Sequence, residues 1–398
     1  ILLVAKDRQG AELTPAESRA RPQAPACPVD AALVERAVTL LGARPIVIIA
    51  GNEVARAGAT SELAAIAQAL DAEVGVAPDA RDAFDNRSPR FIGVCGAMGA
   101  PAVPRALARA AACLLVGTRL PLLARQGIET LLGEKPLVSL GREPPYVASA
   151  SGLHLGGEVG DGLRALRRGL GAGNGPASEE RPPTANPTRT DPSFFGVQSV
   201  LSVLERKLPE ESVLIVDAGN TGAASVHYLP APRGGRFLLA MGMAGMGYAF
   251  GAAIGAAFAT GKRCTVLAGD GAFFMNGLDV HTAVEHELPV TYVILDNAAH
   301  GMCLVREQLL LHENAGYNTF HRSHIGTGLA AMFPGLAAWD CRTNEALEQA
   351  LQRAYGSRGP AVIAVELEDV EIPPFTAFQK AVENGITTVS RGGAHVRG

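Results

Sequence analysis

The sequence predicts an α/β protein with two doubly wound parallel-sheet domains joined by a linker. Short apolar runs of the strand type alternate with helical patterns along most of the chain, which is typical of parallel sheets with helical crossovers. Residues 171–192 interrupt this alternation with a polar stretch rich in glycine, proline and threonine, as expected of an interdomain linker. The length of 398 residues allows two or three domains.

The first predicted domain covers residues 29–170. Its apolar strands are expected at residues 45–51, 91–94, 112–117 and 136–140, with helices between them at 61–70 and 102–111. Residues 1–28 before it begin with a short apolar run that has the character of a buried strand, followed by a stretch rich in proline and alanine. A strand needs neighbours, so we interpret residues 1–28 as the end of a missing N-terminal domain plus a linker.

The second predicted domain covers residues 193–372. We expect its strands at residues 213–217, 264–268, 291–295 and 361–366. Residues 373–398 form a polar, glycine-rich C-terminal tail that folds over another surface or frays.

Composition limits the classes of partner. The chain is 47% hydrophobic, which is enough for large cores, and its formal net charge is −4, which argues against nucleic acid or an anionic membrane as the main partner. The longest apolar candidate for a membrane span, residues 243–259, contains four glycines and is better explained as a loop that leads into a buried helix.

Cysteine spacing indicates neither a disulfide framework nor a zinc site. Six cysteines are scattered without a C-x-x-C pair: Cys27, Cys95, Cys113, Cys264, Cys303 and Cys341. We therefore expect buried or free thiols in a reducing, cytoplasmic environment. A zinc site among His312, His321 and His324 also lacks the usual ligand spacing and is disfavoured.

Two polar turns predict a magnesium site. Asp270 and Asn297 lie 27 positions apart, and each follows a predicted strand, so both belong to one edge of a parallel sheet. A carboxylate, an amide and a backbone carbonyl there supply the oxygen ligands that Mg²⁺ prefers. Gly269 and Gly271 let backbone N–H groups approach a diphosphate closely. Asp270 is expected at a solvent-facing strand end.

This pattern resembles the diphosphate-binding motif of thiamine diphosphate (ThDP) enzymes, a GDG followed at this spacing by an Asn-Asn or Asp-Asn pair. The resemblance is to the acetohydroxyacid (acetolactate) synthase and pyruvate decarboxylase superfamily, and it covers that superfamily's Rossmann-like central domain and its diphosphate-binding domain. It implies ThDP and Mg²⁺ as cofactors, with Asp270, Asn297 and Ala299 as metal ligands. The implied cofactor-binding residues are Ala218, Gly219, Asn220, Thr221, Ala244, Met246, Gly269, Asp270, Gly271, Ala272, Asn297, Ala299, His300, Gly301 and Met302.

A methionine segment strengthens the resemblance. Residues 242–247 are similar to the family's G-x-G-x-M-G segment, with Ala244 in place of the second glycine. In the family this methionine wedges beneath the cofactor and imposes a bent shape, a role that would fall to Met246. The alternative is an ordinary core methionine.

The segment after Gly301-Met302 departs from the acetohydroxyacid synthases. Where the family continues with valine and, three residues on, tryptophan, this chain has Cys303 and Arg306. A guanidinium near the reacting carbon could pair with a carboxylate, phosphate or sulfonate. The alternative is that Arg306 faces solvent or pairs with Glu307. Met246, His300 and Arg306 are the candidate catalytic residues.

The central domain carries the family's G-x-x-G-x-x-G turn at residues 93–99 and its L-x-x-G-x-R strand end at 114–119. In acetohydroxyacid synthases this domain holds FAD. The acidic residues expected after Arg119 and at the end of the next strand are absent, since Leu120 and Arg142 stand near those places. FAD is therefore doubtful, and a vestigial central domain is favoured.

The resemblance implies ThDP-dependent decarboxylation of a 2-oxo acid, with carboligation of the enamine to a second carbonyl, as in acetolactate synthase, and with an anionic acyl partner. Two alternatives remain: a simple 2-oxo acid decarboxylase or carbon–carbon lyase, and a non-catalytic or partner-dependent diphosphate-binding subunit. The catalytic glutamate of the family's pyrimidine-binding domain has no counterpart in this segment, so it must come from an upstream segment or from a separate subunit. A homodimer or tetramer is expected. A nicotinamide-binding protein is excluded, because no G-x-G-x-x-G follows the first strand of either domain.

Overall fold

A computed structural model describes residues 29–171, 195–313 and 316–391 of the chain. It contains two six-stranded sheets in which all neighbouring strands run parallel. The predicted fold class, α/β with two parallel-sheet domains, is confirmed. The apolar run at the start of the chain and nearly all of the predicted linker lie outside the described residues.

The first sheet has the strand order β3-β2-β1-β4-β5-β6. Its strands are β1 (Ile46–Ala50), β2 (Glu73–Val76), β3 (Phe91–Val94), β4 (Ala112–Val116), β5 (Leu137–Gly141) and β6 (Gly152–Gly156). The helices around it are α1 (Ala31–Leu40), α2 (Asn52–Arg56), α3 (Thr60–Ala69), α4 (Ala102–Arg109), α5 (Leu122–Arg125), α6 (Glu129–Gly133) and α7 (Val159–Leu170). The order reverses between β1 and β4, the place where doubly wound sheets open a crevice.

The second sheet has the strand order β11-β12-β10-β9-β7-β8. Its strands are β7 (Val213–Val216), β8 (Arg236–Leu239), β9 (Cys264–Gly269), β10 (Val290–Asp296), β11 (Ala337–Cys341) and β12 (Ala361–Glu366). Its helices are α8 (Val197–Lys207), α9 (Gly219–Tyr228), α10 (Tyr248–Thr260), α11 (Asp270–Asn276), α12 (Val280–Glu285), α13 (Gly301–Leu310), α14 (Ile325–Met332) and α15 (Asn344–Gly356). Every residue of β7, β10 and β12 is buried, which explains why these strands consist almost entirely of apolar residues.

The sequence pattern predicted eight of the twelve strands in the two large sheets and missed four. β1, β3, β4, β5, β7, β9, β10 and β12 lie within two residues of their predicted bounds. β2, β6, β8 and β11 were not predicted. β6, β8 and β11 are edge strands, each paired with one neighbouring strand only. Some of their residues are partly exposed, so their sequences mix polar and apolar residues.

Helix α10 differs from the buried helix expected after residue 247. Its sequence is apolar all round, yet Tyr248, Gly251, Gly255 and Phe258 are exposed along one side. A uniformly apolar sequence does not reveal which side of a helix faces the sheet. No described helix is long and apolar enough to cross a membrane.

The described part of the C-terminal tail folds back onto the second domain. Strand β13 (Val370–Glu371) pairs antiparallel with β14 (Thr388–Val389), and helix α16 (Gln379–Glu383) lies between them in the chain. Val370, Phe378 and Val389 pack with Leu304 and Val305 of α13 in a separate small core. The tail therefore braces the helix that begins at Gly301.

Polar contacts join the two domains near the C-terminal end of α9. The Nε atom of Arg81 donates to the carbonyl of Leu229, at 2.9 Å, and the carboxylate of Asp82 accepts from Arg236 and from the amide of Phe237. Nδ1 of His227 lies 3.0 Å from the carbonyl of Met98. These contacts fix the end of α9 against the central domain.

Two buried tyrosines of the second domain give a stability prediction. Tyr292 is fully buried, and its hydroxyl has no hydrogen-bond partner among the described residues, whereas the Tyr355 hydroxyl lies 3.2 Å from that of Thr265. We expect Tyr292→Phe to be neutral or stabilising, because it removes an unsatisfied buried group, and Tyr355→Phe to cost about 1 kcal/mol. Chemical denaturation of both variants measures this. A larger loss for Tyr292→Phe would contradict the assignment.

Candidate active site

Three helices begin at one cavity along the carboxyl edge of the second sheet. They are α9, α11 and α13, which follow β7, β9 and β10. The cavity is lined by Val197, Ala218, Gly219, Asn220, Thr221, Met246, Gly269, Asp270, Gly271, Ala272, Leu295, Asn297, Ala299, His300, Gly301, Met302, Cys303, Leu367 and Glu371. Because the first N–H groups of a helix have no internal partners, three converging helix N-termini provide a site for a multiply charged anion.

Two glycines keep this cavity open to a ligand. Gly219 has a positive φ of 82°, which favours glycine, and the space beyond its Cα is empty. A methyl group at Gly301 would lie 3.0 Å from Nδ2 of Asn220 and 3.1 Å from Nδ2 of Asn297. Two side-chain amides thus converge where α13 begins, and only a residue without a side chain leaves room between them and a ligand.

Two buried carboxyl groups adjoin the cavity. Asp270 and Asp296, at the ends of β9 and β10, are each 2% exposed. Asp270 accepts hydrogen bonds from the amides of Gly271 (2.9 Å) and Ala299 (3.1 Å). Burial, and then the neighbouring Asp296 carboxylate, raises the pKa of Asp270, and burial also raises the pKa of Asp296. Two carboxylates so close in a dry site need a shared proton or a cation between them.

The expectation that Asp270 faces solvent is wrong. Asp270 begins α11 beneath the turn 297–300, which covers it and donates the amide of Ala299 to it. Sequence reasoning also missed Asp296, whose Oδ2 has no partner among the described residues. Its position directly before Asn297 was the available signal. The carboxylate pair and the unpartnered oxygen fit a divalent cation at this edge.

The methionine loop, residues 241–247, reaches the same cavity. A methyl group at Gly271 would lie 3.2 Å from Cε of Met246 and 2.6 Å from Nδ1 of His300, so both side chains lie over the start of α11. Ala244, by contrast, is exposed, has a φ of 50°, and does not line the cavity.

His300 is held by a short pairing with a later segment. Its amide donates to the carbonyl of Asn318 (2.9 Å), and the amide of Phe320 donates to the carbonyl of Ala298 (2.8 Å). The ring of Phe320 lies edge-on to that of His300, with centroids 4.6 Å apart. Nδ1 of His300 is buried beside Gly271 without a hydrogen-bond partner in the described part of the chain.

Arg306 lies outside the cavity lining. It is exposed on α13, one turn after Cys303, which does line the cavity and is the one exposed cysteine among those described. Residues three apart share a helix face, so Arg306 is on the cavity side of α13 but farther out. Cys95, Cys113, Cys264 and Cys341 are free and buried.

The structure thus brings all the predicted cofactor residues together except Ala244, and of the candidate catalytic residues it leaves out Arg306. Sequence reasoning missed five lining residues: Val197, Leu295, Cys303, Leu367 and Glu371. Glu371 accepts the amide of Val197 through Oε1 (2.7 Å) and the Asn220 amide through its own carbonyl (3.1 Å). No sequence signal linked the tail to this site.

A second group lies on the neighbouring side of the same edge, where Glu366 of β12 is paired in register with Asp296 of β10, and it could be mistaken for a separate metal site. His324, Asp340 and Glu366 bring one ligand atom each within 4.8 Å of one another. Glu366, however, pairs with Arg342 at 2.6 Å, and Asp340 accepts the amides of Gly326 and Thr327 at the start of α14. We interpret the group as an ion-pair and helix-capping cluster.

The crevice between β1 and β4 in the central domain is lined by charged side chains. Arg119 pairs with Glu143, and Arg142 pairs with Glu158 at 2.8 Å. Glu53 and Arg56 complete the polar lining. Both arginines of this crevice, Arg119 and Arg142, are thus already paired with carboxylates.

Both halves of the chain match one enzyme family. Residues 217–365 match the family described as "Thiamine pyrophosphate enzyme, C-terminal TPP binding domain", and residues 34–166 match "Thiamine pyrophosphate enzyme, central domain". The first match contains the carboxyl edges of β7, β9 and β10, where the cavity lies.

Two curated relatives illustrate the range of activities. The chain is 28% identical to the sulfoacetaldehyde acetyltransferase of Castellaniella defragrans over 293 residues, which are 64% of this chain and 49% of the relative. It is 27% identical to the acetolactate synthase isozyme 2 large subunit of Escherichia coli over 190 residues, which are 46% of this chain and 34% of the relative. The chain thus spans half or less of the length of these relatives.

The fold also resembles a solved structure, the benzoylformate decarboxylase from Polynucleobacter necessarius. The TM-score is 0.71 at 21% identity, covering 92% of this chain and 69% of the other. At this identity the likeness concerns the fold alone.

Replacing Asp270 tests the cation site. We expect Asp270→Asn to weaken Mg²⁺-dependent ThDP binding by at least about a hundredfold, the upper end of the loss seen for groups that only orient a metal ligand. Asparagine keeps only one of the two oxygens that accept from the amides of Gly271 and Ala299, but it also removes the repulsion between Asp270 and Asp296, so the melting temperature should change little. Calorimetric titration measures the affinity, with Asp279→Asn as the control outside the cavity. Unchanged Mg²⁺ dependence would refute the site.

Proposed function

Because this chain belongs to the thiamine pyrophosphate enzymes, carrying their central domain and their C-terminal TPP binding domain, we propose that it serves ThDP- and Mg²⁺-dependent decarboxylation of a 2-oxo acid, followed by carboligation to a second carbonyl. The observation that carries the proposal is the convergence of three helix N-termini beside a buried carboxylate pair. Positive helix ends suit a diphosphate and paired carboxylates suit Mg²⁺, so one metal–diphosphate unit satisfies both.

In this proposal Asp270, Asn297 and Ala299 hold Mg²⁺, and the turns at Gly219 and Gly301 hold the diphosphate. When bound, ThDP supplies the nucleophilic carbon and the electron sink for decarboxylation. Met246 supports the cofactor from the side of α11. His300 can take up or release a proton at Nδ1, its unpartnered atom.

Proton transfer at the pyrimidine end is proposed to need a glutamate from the pyrimidine-binding domain. We assign that domain either to a segment of the protein preceding these residues or to a separate subunit. The alternative, a non-catalytic or partner-dependent diphosphate-binding subunit, predicts that the purified polypeptide alone with ThDP and Mg²⁺ turns over no 2-oxo acid. Activity that appears only when a separate subunit is added would support the partner-dependent form, and none in either case the non-catalytic form.

Product analysis tests the reaction class. We expect the purified protein, given ThDP, Mg²⁺ and a 2-oxo acid such as pyruvate, to form a 2-hydroxy ketone or 2-hydroxy acid when an acceptor carbonyl is present. Free aldehyde as the only product would instead support the simple decarboxylase, the activity for which the Polynucleobacter relative is named.

A second candidate reaction is acyl transfer on a sulfonated aldehyde. The sulfoacetaldehyde acetyltransferase relative favours it, and so does Arg306, because a guanidinium on the outer cavity side of α13 can pair with a sulfonate as well as with a carboxylate. Both candidate reactions share an anionic acyl partner at Arg306. Incubation with sulfoacetaldehyde and phosphate, with detection of sulfite, separates the two.

Arg306→Gln tests the anionic partner. We expect the KM for an anionic partner to rise about fivefold, since an exposed charge-assisted pair is worth about 1 kcal/mol, while turnover with an uncharged partner stays the same. Steady-state kinetics on both partners measures the difference, with Arg353→Gln on α15 as the exposed control. An equal effect on charged and uncharged partners would contradict the role.

We also propose a homo-oligomer formed through the exposed side of α10. Tyr248 is 51% and Phe258 56% exposed, with Gly251 and Gly255 between them on the same side. No residue of α10 on this face is charged, although a carboxylate oxygen of Asp279 lies beside Gly251, and the two glycines allow a neighbouring helix to approach closely. A two-fold axis places one such face against its copy, which covers both.

Gly255→Glu tests this interface. A methyl group at Gly255 meets no atom within 4 Å, so the substitution fits the single chain, and the same holds for the control Gly356→Glu on α15. We expect Gly255→Glu to shift the protein from dimer or tetramer to monomer, because it buries a carboxylate between two apolar faces. Light scattering measures the mass. A dimer that survives Gly255→Glu would show that another surface forms the contact.

A further inference from the structure

We propose that Asp217 is a positioning residue that fixes the methionine loop, and that it thereby links the part of the site facing the diphosphate to the part facing the organic body of the cofactor. The inference rests on the proposed function for its ligand, and on the geometry of this chain for the link.

Asp217 lies at the end of β7, directly before the turn that lines the cavity. Its carboxylate is 1% exposed and accepts three backbone N–H groups. Oδ1 accepts from Ala218 at 2.8 Å and from Gly247 at 3.0 Å, and Oδ2 accepts from Ala249 at 2.9 Å. Two of these donors belong to the junction of the methionine loop with α10. The carboxylate therefore caps α10 from a different strand.

Between Met241 and Met246, which pack against hydrophobic cores, the loop has little else to hold it. Residues 242–245 are exposed, Met243 being 95% exposed, and a methyl group at Gly242 or Gly245 would meet nothing within 4 Å. Gly247 has a φ of 85° and lies against Asn276, so the chain turns sharply at the point where Asp217 holds it. A segment with few buried contacts takes its position from its anchor.

Met246 is the residue next to that anchor. Since its side chain reaches over Gly271, a loosened Gly247 amide moves Met246 directly. The helix starts at Asp270 and Gly301 do not depend on the Asp217 carboxylate. The turn before Gly219 meets it only through the amide of Ala218, the adjacent residue, which the chain itself keeps in place. Loss of the Asp217 carboxylate should therefore spare the diphosphate part of the site and disturb the part that Met246 supports.

Calorimetry with two ligands tests this division. We expect Asp217→Asn to weaken Mg²⁺–ThDP about tenfold, the effect of losing one hydrogen bond worth about 1.4 kcal/mol, and to change Mg²⁺–pyrophosphate less than about threefold. Asp340→Asn is the matched control, because Asp340 caps α14 through the amides of Gly326 and Thr327 without reaching the cavity. Equal losses for the two ligands, or none for either, would overturn the inference.

Hydrogen–deuterium exchange on the unliganded protein tests the anchor without any cofactor. Asp217→Asn should speed exchange in peptides covering residues 242–250 and leave peptides covering 264–276 unchanged. Met246→Ala should reproduce the ligand difference without the faster exchange. If Asp217→Asn does not fold, Asp217→Glu, which displaces the charge by one methylene, carries the same tests. Unchanged exchange at residues 242–250 in Asp217→Asn would overturn the anchoring role. If the wild-type protein binds neither ligand but Asp217→Asn still exchanges faster at these residues, only the proposed function is overturned.

Discussion

Two carboxyl groups buried side by side at the ends of neighbouring strands impose the main electrostatic demand on this molecule. Asp270 and Asp296 cannot both carry a negative charge in a dry site unless positive charge comes between them. The helix starts around them present the opposite demand, since their free N–H groups need an anion. A cation bound to a diphosphate satisfies both at once. The buried strands β9 and β10 and the tail that packs on α13 keep the carboxylate pair and the free helix N–H groups close together.

The C-terminal domain supplies all the residues around this cavity, and the central domain contributes by holding α9. The helix begins at Gly219 in the cavity and ends at Tyr228, where Arg81 and Met98 of the central domain hold the following turn and His227. In the β1–β4 crevice, Arg119 and Arg142 are paired with glutamates. The central domain is therefore connected to the cavity mechanically through α9, whether or not the crevice holds a ligand.

Sequence patterns predicted the fold class, eight of the twelve strands in the two large sheets and most of the residues around the cavity. They could do so because buried parallel strands have a continuous apolar sequence and because ligand turns follow such strands directly. They could not predict that Asp270 is covered, since its cover is the turn at Ala299, 29 residues later. For the same reason they missed Glu371, which lies just before the tail, and the hydrogen bonds from three backbone amides to the Asp217 carboxylate. The exposed side of α10 was unpredictable for a different reason: an all-apolar helix has no pattern that distinguishes its two sides.

The contacts at the C-terminal end of α9 limit how this protein could be engineered or could evolve. A cofactor-binding domain transplanted onto a foreign partner would lose the support of Arg81, Asp82 and the Met98 carbonyl. The turn at Gly219 would then begin a helix, α9, whose C-terminal end is no longer held in place. Modular exchange between such enzymes should therefore succeed only when the turn around residues 79–87 travels with the segment around residues 227–237. These two short surfaces form one packing unit although they belong to different domains.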